Sequence, residues 1–194
     1  MFLWFAAFSK VGRSRKRDSF RMGATINPED VSIPECQALC PEHAVGLASL
    51  FEKLRAREME KFFHPHPLTK DEAAKRASYA GRDFYCVCLC GKSVVGYGML
   101  RGWDERYETP SLGVAVDPEM QGRGYGRLLM EFLHKIARQR GANRIRLKVH
   151  PDNGRAVGLY RSLGYVFSGD DGGQIIGFLE LKSPAGSQQK GSGK

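Results

Sequence analysis

The stretch Gln121-Gly122-Arg123-Gly124-Tyr125-Gly126 constrains this chain more than any other, because of what stands on either side of it. Upstream, Ser111-Leu112-Gly113-Val114-Ala115-Val116 reads as a short buried strand stopped by Asp117-Pro118. Downstream, Leu128, Leu129, Phe132, Leu133 and Ile136 share one face at helical spacing. Glycines leave no Cβ between the backbone and an approaching anion, and the first N–H groups of a helix have no partner within it. With the positive end of the helix dipole behind them, those groups form a phosphate cradle made of main chain. Spacing excludes two common phosphate loops. Gly126 is followed by Arg127-Leu128 rather than Lys-Ser/Thr, and the glycines run G-x-G-x-G rather than G-x-G-x-x-G. Taken alone, the stretch leaves an ordinary glycine-rich turn open as the alternative.

A second block lies downstream. Arg144-Ile145-Arg146-Leu147-Lys148-Val149 alternates charged and apolar residues at strand period, with Ile145, Leu147 and Val149 on one face. Asn153 suits the N-cap of a helix running to about Leu163, and Gly164 suits its C′ stop. The first stretch resembles the acetyl-CoA signature of the GNAT acyltransferase superfamily, Gln/Arg-x-x-Gly-x-Gly/Ala, through Gln121, Gly124 and Gly126. Val116-Asp117-Pro118 is also typical of that family. The second block resembles the family pattern Asn-x-x-Ala-x-x-Leu-Tyr-x-x-x-Gly-Phe/Tyr through Asn153, Ala156, Leu159, Tyr160, Gly164 and Tyr165. Order and spacing both match, over roughly residues 31–181. The resemblance implies an α/β, GNAT-type three-layer fold with a mixed, splayed central sheet flanked by helices. The strand before the phosphate loop would part from the next one, and the cofactor would enter the gap.

The same resemblance implies roles for particular residues. Acetyl-CoA is the expected co-substrate, and an amine attacks its thioester directly. The N–H groups of Gln121, Gly122, Arg123, Gly124, Tyr125 and Gly126 would hold the pyrophosphate. The strand edge at Val114, Ala115 and Val116 would pair with the pantetheine arm. Arg123 and Arg127 are candidates for side-chain contacts to phosphate, solvated arginines being the alternative. Asn153 caps its helix and is a candidate pantetheine contact. Tyr160 matches the family tyrosine that protonates the departing thiolate; a half-buried aromatic on an amphipathic helix is its ordinary alternative.

The general base is where this chain departs from a common family pattern. Many members carry a glutamate on the strand before the phosphate loop, and the matching position here is Leu112. Base candidates therefore come from His64 and His66, in the proline-stiffened run His64-Pro65-His66-Pro67, and from Asp104. The alternatives are a polar linker for the histidines and an exposed loop acid for Asp104. Phe63, Arg101, Trp103 and Asp104 are the candidate acceptor contacts, residue types suited to a polar ring or an anionic group. The loops around them resemble a GNAT subgroup found with bacterial surface-sugar biosynthesis, which implies an amino sugar or nucleotide-linked amino sugar as acceptor. A protein α-amine or lysine, and a non-catalytic acyl-CoA sensor, are the competing readings. No metal is expected, because no further His or Cys has ligand spacing to the histidine pair.

The chain's 194 residues carry a formal charge of +9. Residues 1–22 hold +5 and residues 183–194 hold +2, leaving +2 for residues 23–182, the expected domain. Basicity in the tails gives no patch for nucleic acid on the fold itself, and the expected partner is a small-molecule amine acting on a monomer or homodimer. The apolar start Met1–Phe8 precedes its basic residues, the reverse of a secretory signal. It is too short to span a bilayer, so no stable membrane insertion is expected; Met22 is a possible alternative start. Residues 1–22 read as a basic, disordered extension and 183–194 as a disordered tail. Cys86, Cys88 and Cys90 alternate along one strand and read as core thiols, hence a reducing cytoplasm. The remaining expectations are a strand at Ser32–Leu39, helices at Pro41–Phe62 and Lys70–Ala80, a hairpin joining Asp83–Cys90 to Ser93–Arg101, and closing strands at Tyr165–Ser168 and Gln174–Leu181. Thr69 with Glu72 reads as a capping box for the second helix.

Overall fold

The computed structural model describes residues 33–181, so the expected extension 1–22 and tail 183–194 lie outside the described residues. The elements run β1 (Glu35–Ala38), α1 (Ala44–Ala56), α2 (Lys70–Ala77), β2 (Phe84–Cys90), β3 (Ser93–Arg101), β4 (Ser111–Val116), α3 (Tyr125–Gln139), β5 (Arg144–Val149), α4 (Gly154–Ser162), β6 (Val166–Asp171) and β7 (Gln174–Glu180). The strands form one sheet in the spatial order β1-β2-β3-β4-β5-β7-β6. Every neighbouring pair is antiparallel except β4 and β5, so the sheet is mixed.

Strand alternation sorts the side chains onto two faces. On one face Tyr85, Val87, Tyr97, Met99 and Ala115 pack with Leu47, Leu50, Phe51 and Leu54 of α1 and Ala73 of α2. On the other, Cys86, Cys88, Leu100, Leu112, Ile145, Leu147 and Val149 pack with α3 and α4. This is the expected three-layer arrangement. From α3 come Leu129 and Leu133, each fully buried and contributing roughly 1.5–3 kcal/mol. The helix can sit this close because β3 carries glycine beneath it. A Cβ on Gly98 would lie 2.9 Å from the Cys86 sulfur and 3.0 Å from a Leu133 methyl. Cys86 and Cys88 are wholly buried, Cys90 is half-buried, and all five cysteines are free thiols.

Two expectations need correction. The first helix does not run to Phe62 but stops at Ala56. After Leu54 the helical positions that should face the core fall on Arg57 and Glu58, so the apolar stripe ends. Glu58 then adopts the left-handed region at φ 52°, and a 3-10 turn over Met59–Lys61 redirects the chain. That reversal is what brings Phe62, Phe63 and His64 to the sheet. The sixth strand also outlasts Ser168, because an irregularity between Phe167 and Asp170, with Gly169 at φ 81°, lets pairing with β7 resume.

The helix ends follow local chemistry. Thr69 accepts from the N–H of Glu72 at 3.2 Å, as expected of a cap. The reciprocal half of the box is missing, since the Glu72 carboxylate accepts from Arg76 Nε at 2.6 Å. Asn153 caps α4 by accepting from the N–H of Ala156 at 3.2 Å. Most important for function, β4 and β5 are paired at a single position, Ser111 opposite Arg146. The N–H of Arg146 donates to Pro110 O at 3.0 Å, and beyond that point the two strands part.

Candidate active site

The splayed strands join two features at opposite ends of β4. At its C-terminal end, Asp117 accepts from the N–H of Glu119 and caps the 3-10 turn Pro118–Met120. It is buried, and it holds Lys53 of α1 at 2.7 Å. The glycine-rich stretch then enters α3, with Gly122 at φ 81° and Gly124 at φ 91°. Both are in the left-handed region that favours glycine, and each would carry its Cβ into open space rather than into protein. Gly122, Arg123 and Gly124 are exposed, so the helix entrance faces outwards with its N–H groups bare of side chains. That is the geometry an oxyanion requires.

The side chains around this cradle are partly committed elsewhere. Gln121 accepts from Arg155 at 2.8 Å, tying the loop to α4. Arg127 donates to Ser162 Oγ at 2.7 Å and so links α3 to α4. Arg123 is exposed and enters no ion pair among the described residues. Tyr160, on α4, is 7 % exposed and packs with its ring centroid 5.7 Å from that of Tyr165. Burial pushes its pKa up to about 12. No hydrogen bond joins its hydroxyl to another described side chain or backbone group.

At the N-terminal end of β4 a cleft of about 890 Å³ opens on the α1–α2 face of the sheet. Phe63, His64, Arg101, Ser111, Leu112, Gly113 and Arg146 are among its walls. His64 Nδ1 donates to Glu60 O at 2.9 Å, which fixes the proton there and leaves Nε2 as the acceptor. Arg101 donates to Pro65 O at 3.0 Å and so braces the His64–Pro65 wall.

The other sequence candidates lie elsewhere. His66 is buried, 9 % exposed, between Phe51 and Tyr97. Its Nδ1 donates to Pro67 O at 2.9 Å and its Nε2 accepts from the Tyr97 hydroxyl at 3.1 Å. Burial pushes its pKa down, and with both nitrogens engaged it has no free acceptor. Asp104 is also absent from the cleft walls. Its carboxylate accepts from the Tyr79 hydroxyl and from the N–H of Arg82 at 2.8 Å, contacts that hold it below the ordinary carboxylate pKa. Trp103 stacks under the Arg140 guanidinium at 4.8 Å, in an adjoining groove that shares the wall Arg106–Thr109 with the cleft. Of the candidate acceptor contacts Phe63 and Arg101 lie in the cleft walls and Trp103 and Asp104 do not; of the candidate bases His64 does and His66 and Asp104 do not.

Two contributions were missed. Asp83 is buried, and its Oδ1 accepts from the N–H groups of Gly102 and Trp103 at 2.8 and 2.9 Å, shaping the loop that rims the cleft. Arg144, Arg146 and Lys148 of β5 also line the cleft. Their alternation with apolar residues was visible, but that pattern is the same for a solvated strand face.

A sequence model described as the acetyltransferase (GNAT) family matches residues 49–165. Streptothricin acetyltransferase of Streptomyces lavendulae is 36% identical over 83 residues, 43% of this chain and 41% of that protein. The ribosomal protein bS18-alanine N-acetyltransferase of Salmonella typhimurium is 41% identical over 58 residues, 30% of this chain and 39% of its own length. The chain thus spans about two fifths of the length of these curated relatives. Among solved structures, the GNAT domain of S. lividans PAT superposes with a TM-score of 0.66 at 18% identity, covering 76% of this chain and 90% of that one. The PaiA N-acetyltransferase of Thermoplasma acidophilum, in complex with coenzyme A, does so with a TM-score of 0.62 at 17% identity, covering 76% and 99%. At such identities the structures speak to the fold. Because the family model covers more than half of the chain and the fold agrees with it, this protein belongs to the acetyltransferase (GNAT) family.

Proposed function

We propose that this protein is an acetyl-CoA-dependent N-acetyltransferase that transfers an acetyl group to the primary amine of a small polar molecule, with an amino sugar or nucleotide-linked amino sugar the favoured class. The observation that carries this reading is the parting of β4 from β5 between an anion cradle and a histidine-bearing cleft. Acetyl-CoA supplies the activated acyl group as co-substrate. The N–H groups of Gln121–Gly126 receive its pyrophosphate, and the cradle fits because Gly122 and Gly124 put no atoms in the way. The freed edge of β4 at Val114–Val116 pairs with the amides of its arm.

On the cleft side, His64 Nε2 takes the proton from the attacking amine. The new N–C bond forms as the C–S bond breaks, and the electron pair leaves on sulfur. Tyr160 returns a proton to that thiolate. With its pKa near 12 the phenol is protonated at any working pH, and donation to a thiolate of ordinary thiol pKa, about 8.5, runs downhill. Leu112 contributes no acid–base group on the strand before the cradle, so the cleft histidine carries that task. Free thiols at all five cysteines support a cytoplasmic setting. No described helix is long and apolar enough to cross a membrane.

A second reading, acetylation of a protein α-amine, is favoured by the similarity to the bS18-alanine N-acetyltransferases. Incubation with acetyl-CoA and a panel of amino sugars, nucleotide-linked amino sugars, polyamines and free-amine peptides separates the two by thiol release and product mass. An acetylated sugar supports the small-molecule reading, and an acetylated peptide replaces it with the second. CoA binding without transfer to any amine overturns both in favour of an acyl-CoA sensor.

A further inference from the structure

The cleft walls carry five cations, Arg101, Arg106, Arg144, Arg146 and Lys148, against two carboxylates, Glu105 and Glu108. Three of these are ion-paired with carboxylates outside the walls, Arg101 with Asp83, Arg144 with Glu180 and Lys148 with Asp171, which leaves the charge of Arg106 and Arg146 unpaired among the described residues. The cofactor's pyrophosphate does not account for it. Its cradle follows Val116, whereas these groups surround Ser111, roughly 16 Å away along the strand.

Arg144, Arg146 and Lys148 alternate along β5 on the face that carries Phe178 opposite Arg146. The outer two have partners, Glu180 at 3.8 Å and Asp171 at 2.5 Å. Arg146, between them and beside the point where β4 and β5 part, has neither an ion pair nor a side-chain hydrogen bond among the described residues. Its Nε is fully buried. Only one other described side-chain nitrogen is buried without a hydrogen bond, Nε of Arg101, and that one lies 3.8 Å from the buried Asp83 carboxylate. An uncompensated buried guanidinium atom is costly, and an oxyanion received by the Arg146 fork would offset that cost.

The geometry points to an acceptor that carries an oxyanion, a carboxylate or a phosphate, beside its amine, with Arg146 as the specificity-determining contact. This rests on the acetyltransferase reading and narrows its substrate class. The test compares ethanolamine, β-alanine and phosphoethanolamine, and glucosamine against glucosamine 6-phosphate, in wild-type protein, Arg146→Gln and Arg146→Lys. The expected result is a higher kcat/KM for the anionic member of each set. That preference falls about 10- to 100-fold in Arg146→Gln, through KM rather than kcat. Arg146→Lys restores part of it, as a point charge without the fork. The β-alanine and phosphoethanolamine arms decide between carboxylate and phosphate. Equal use of neutral and anionic amines, or a preference untouched in a folded Arg146→Gln, overturns the proposal.

If no amine is acetylated, the acetyltransferase reading is what fails. Calorimetry on the CoA-saturated protein then still decides the anion site. Phosphoethanolamine or β-alanine binding more tightly than ethanolamine, with the difference lost in Arg146→Gln, supports it; no difference overturns it.

Discussion

Tyr160 and His64 divide the proton traffic proposed here, and each can be tested through its own signature. Tyr160→Phe keeps the ring that packs on Tyr165 and removes only the hydroxyl. Turnover is expected to fall about 10²-fold or more while CoA affinity, read by calorimetry, stays within about 2-fold. Equal, small changes in both would remove the acid role. His64→Gln is expected to lower kcat by about 10² to 10⁴. By contrast Asp104→Asn, whose carboxylate already serves Tyr79 and Arg82 outside the cleft, should leave kcat unaltered. His64 and His66 show how far sequence could take the site. Both stand in one proline-bracketed run, and nothing local distinguishes them. Tyr97, 31 residues further on, engages one and leaves the other free.

At the scale of elements, the entrances to α3 and α4 were legible because caps and glycine turns are set by residues within a few positions of each other. They also allow a clean separation of stability from binding. Gly124→Ala forces a side chain into φ 91°, a strain of about 1–2 kcal/mol, and puts a methyl in the cradle. Both the melting temperature and the CoA affinity should drop. Asn153→Ala removes the bond to the N–H of Ala156 and should cost about 1 kcal/mol of stability. Asn153→Ser keeps a cap, so any loss of CoA affinity in the serine variant would mark a direct contact. The end of α1 was not legible. Its charged run looked like the polar face of a continuing helix, and only the burial of Phe63 and Met59 against the sheet favours the left-handed turn at Glu58.

Over the whole molecule, two buried neutral histidines make stability depend on pH. His134 of α3 is 5 % exposed and hydrogen-bonded to the Tyr165 hydroxyl at 2.9 Å. Burial, with a smaller effect from Arg138, pushes its pKa down to about 4, below the unfolded value near 6.5. The unfolded chain therefore binds the proton first. The contribution is complete above pH 6.5 and is lost as pH falls toward 4, amounting to about 3 kcal/mol. His66 shifts in the same direction. Urea midpoints should fall between pH 7 and pH 4.5, and His134→Gln should flatten that fall; a parallel fall in the variant would assign it to other groups. His134 carried no signal in the sequence, where it is one polar position on an amphipathic helix. The sequence by itself determined the order of strands and helices, the main-chain cradle and the capped helix bearing Tyr160, since these depend on periodicity and short spacings. Only the tertiary structure decided which histidine lines the cleft, that Asp104 and Trp103 leave it, and that Arg146 enters it. Those outcomes depend on contacts between residues far apart in the chain, and they exist only once β4 and β5 have paired at Ser111 and Arg146 and then parted.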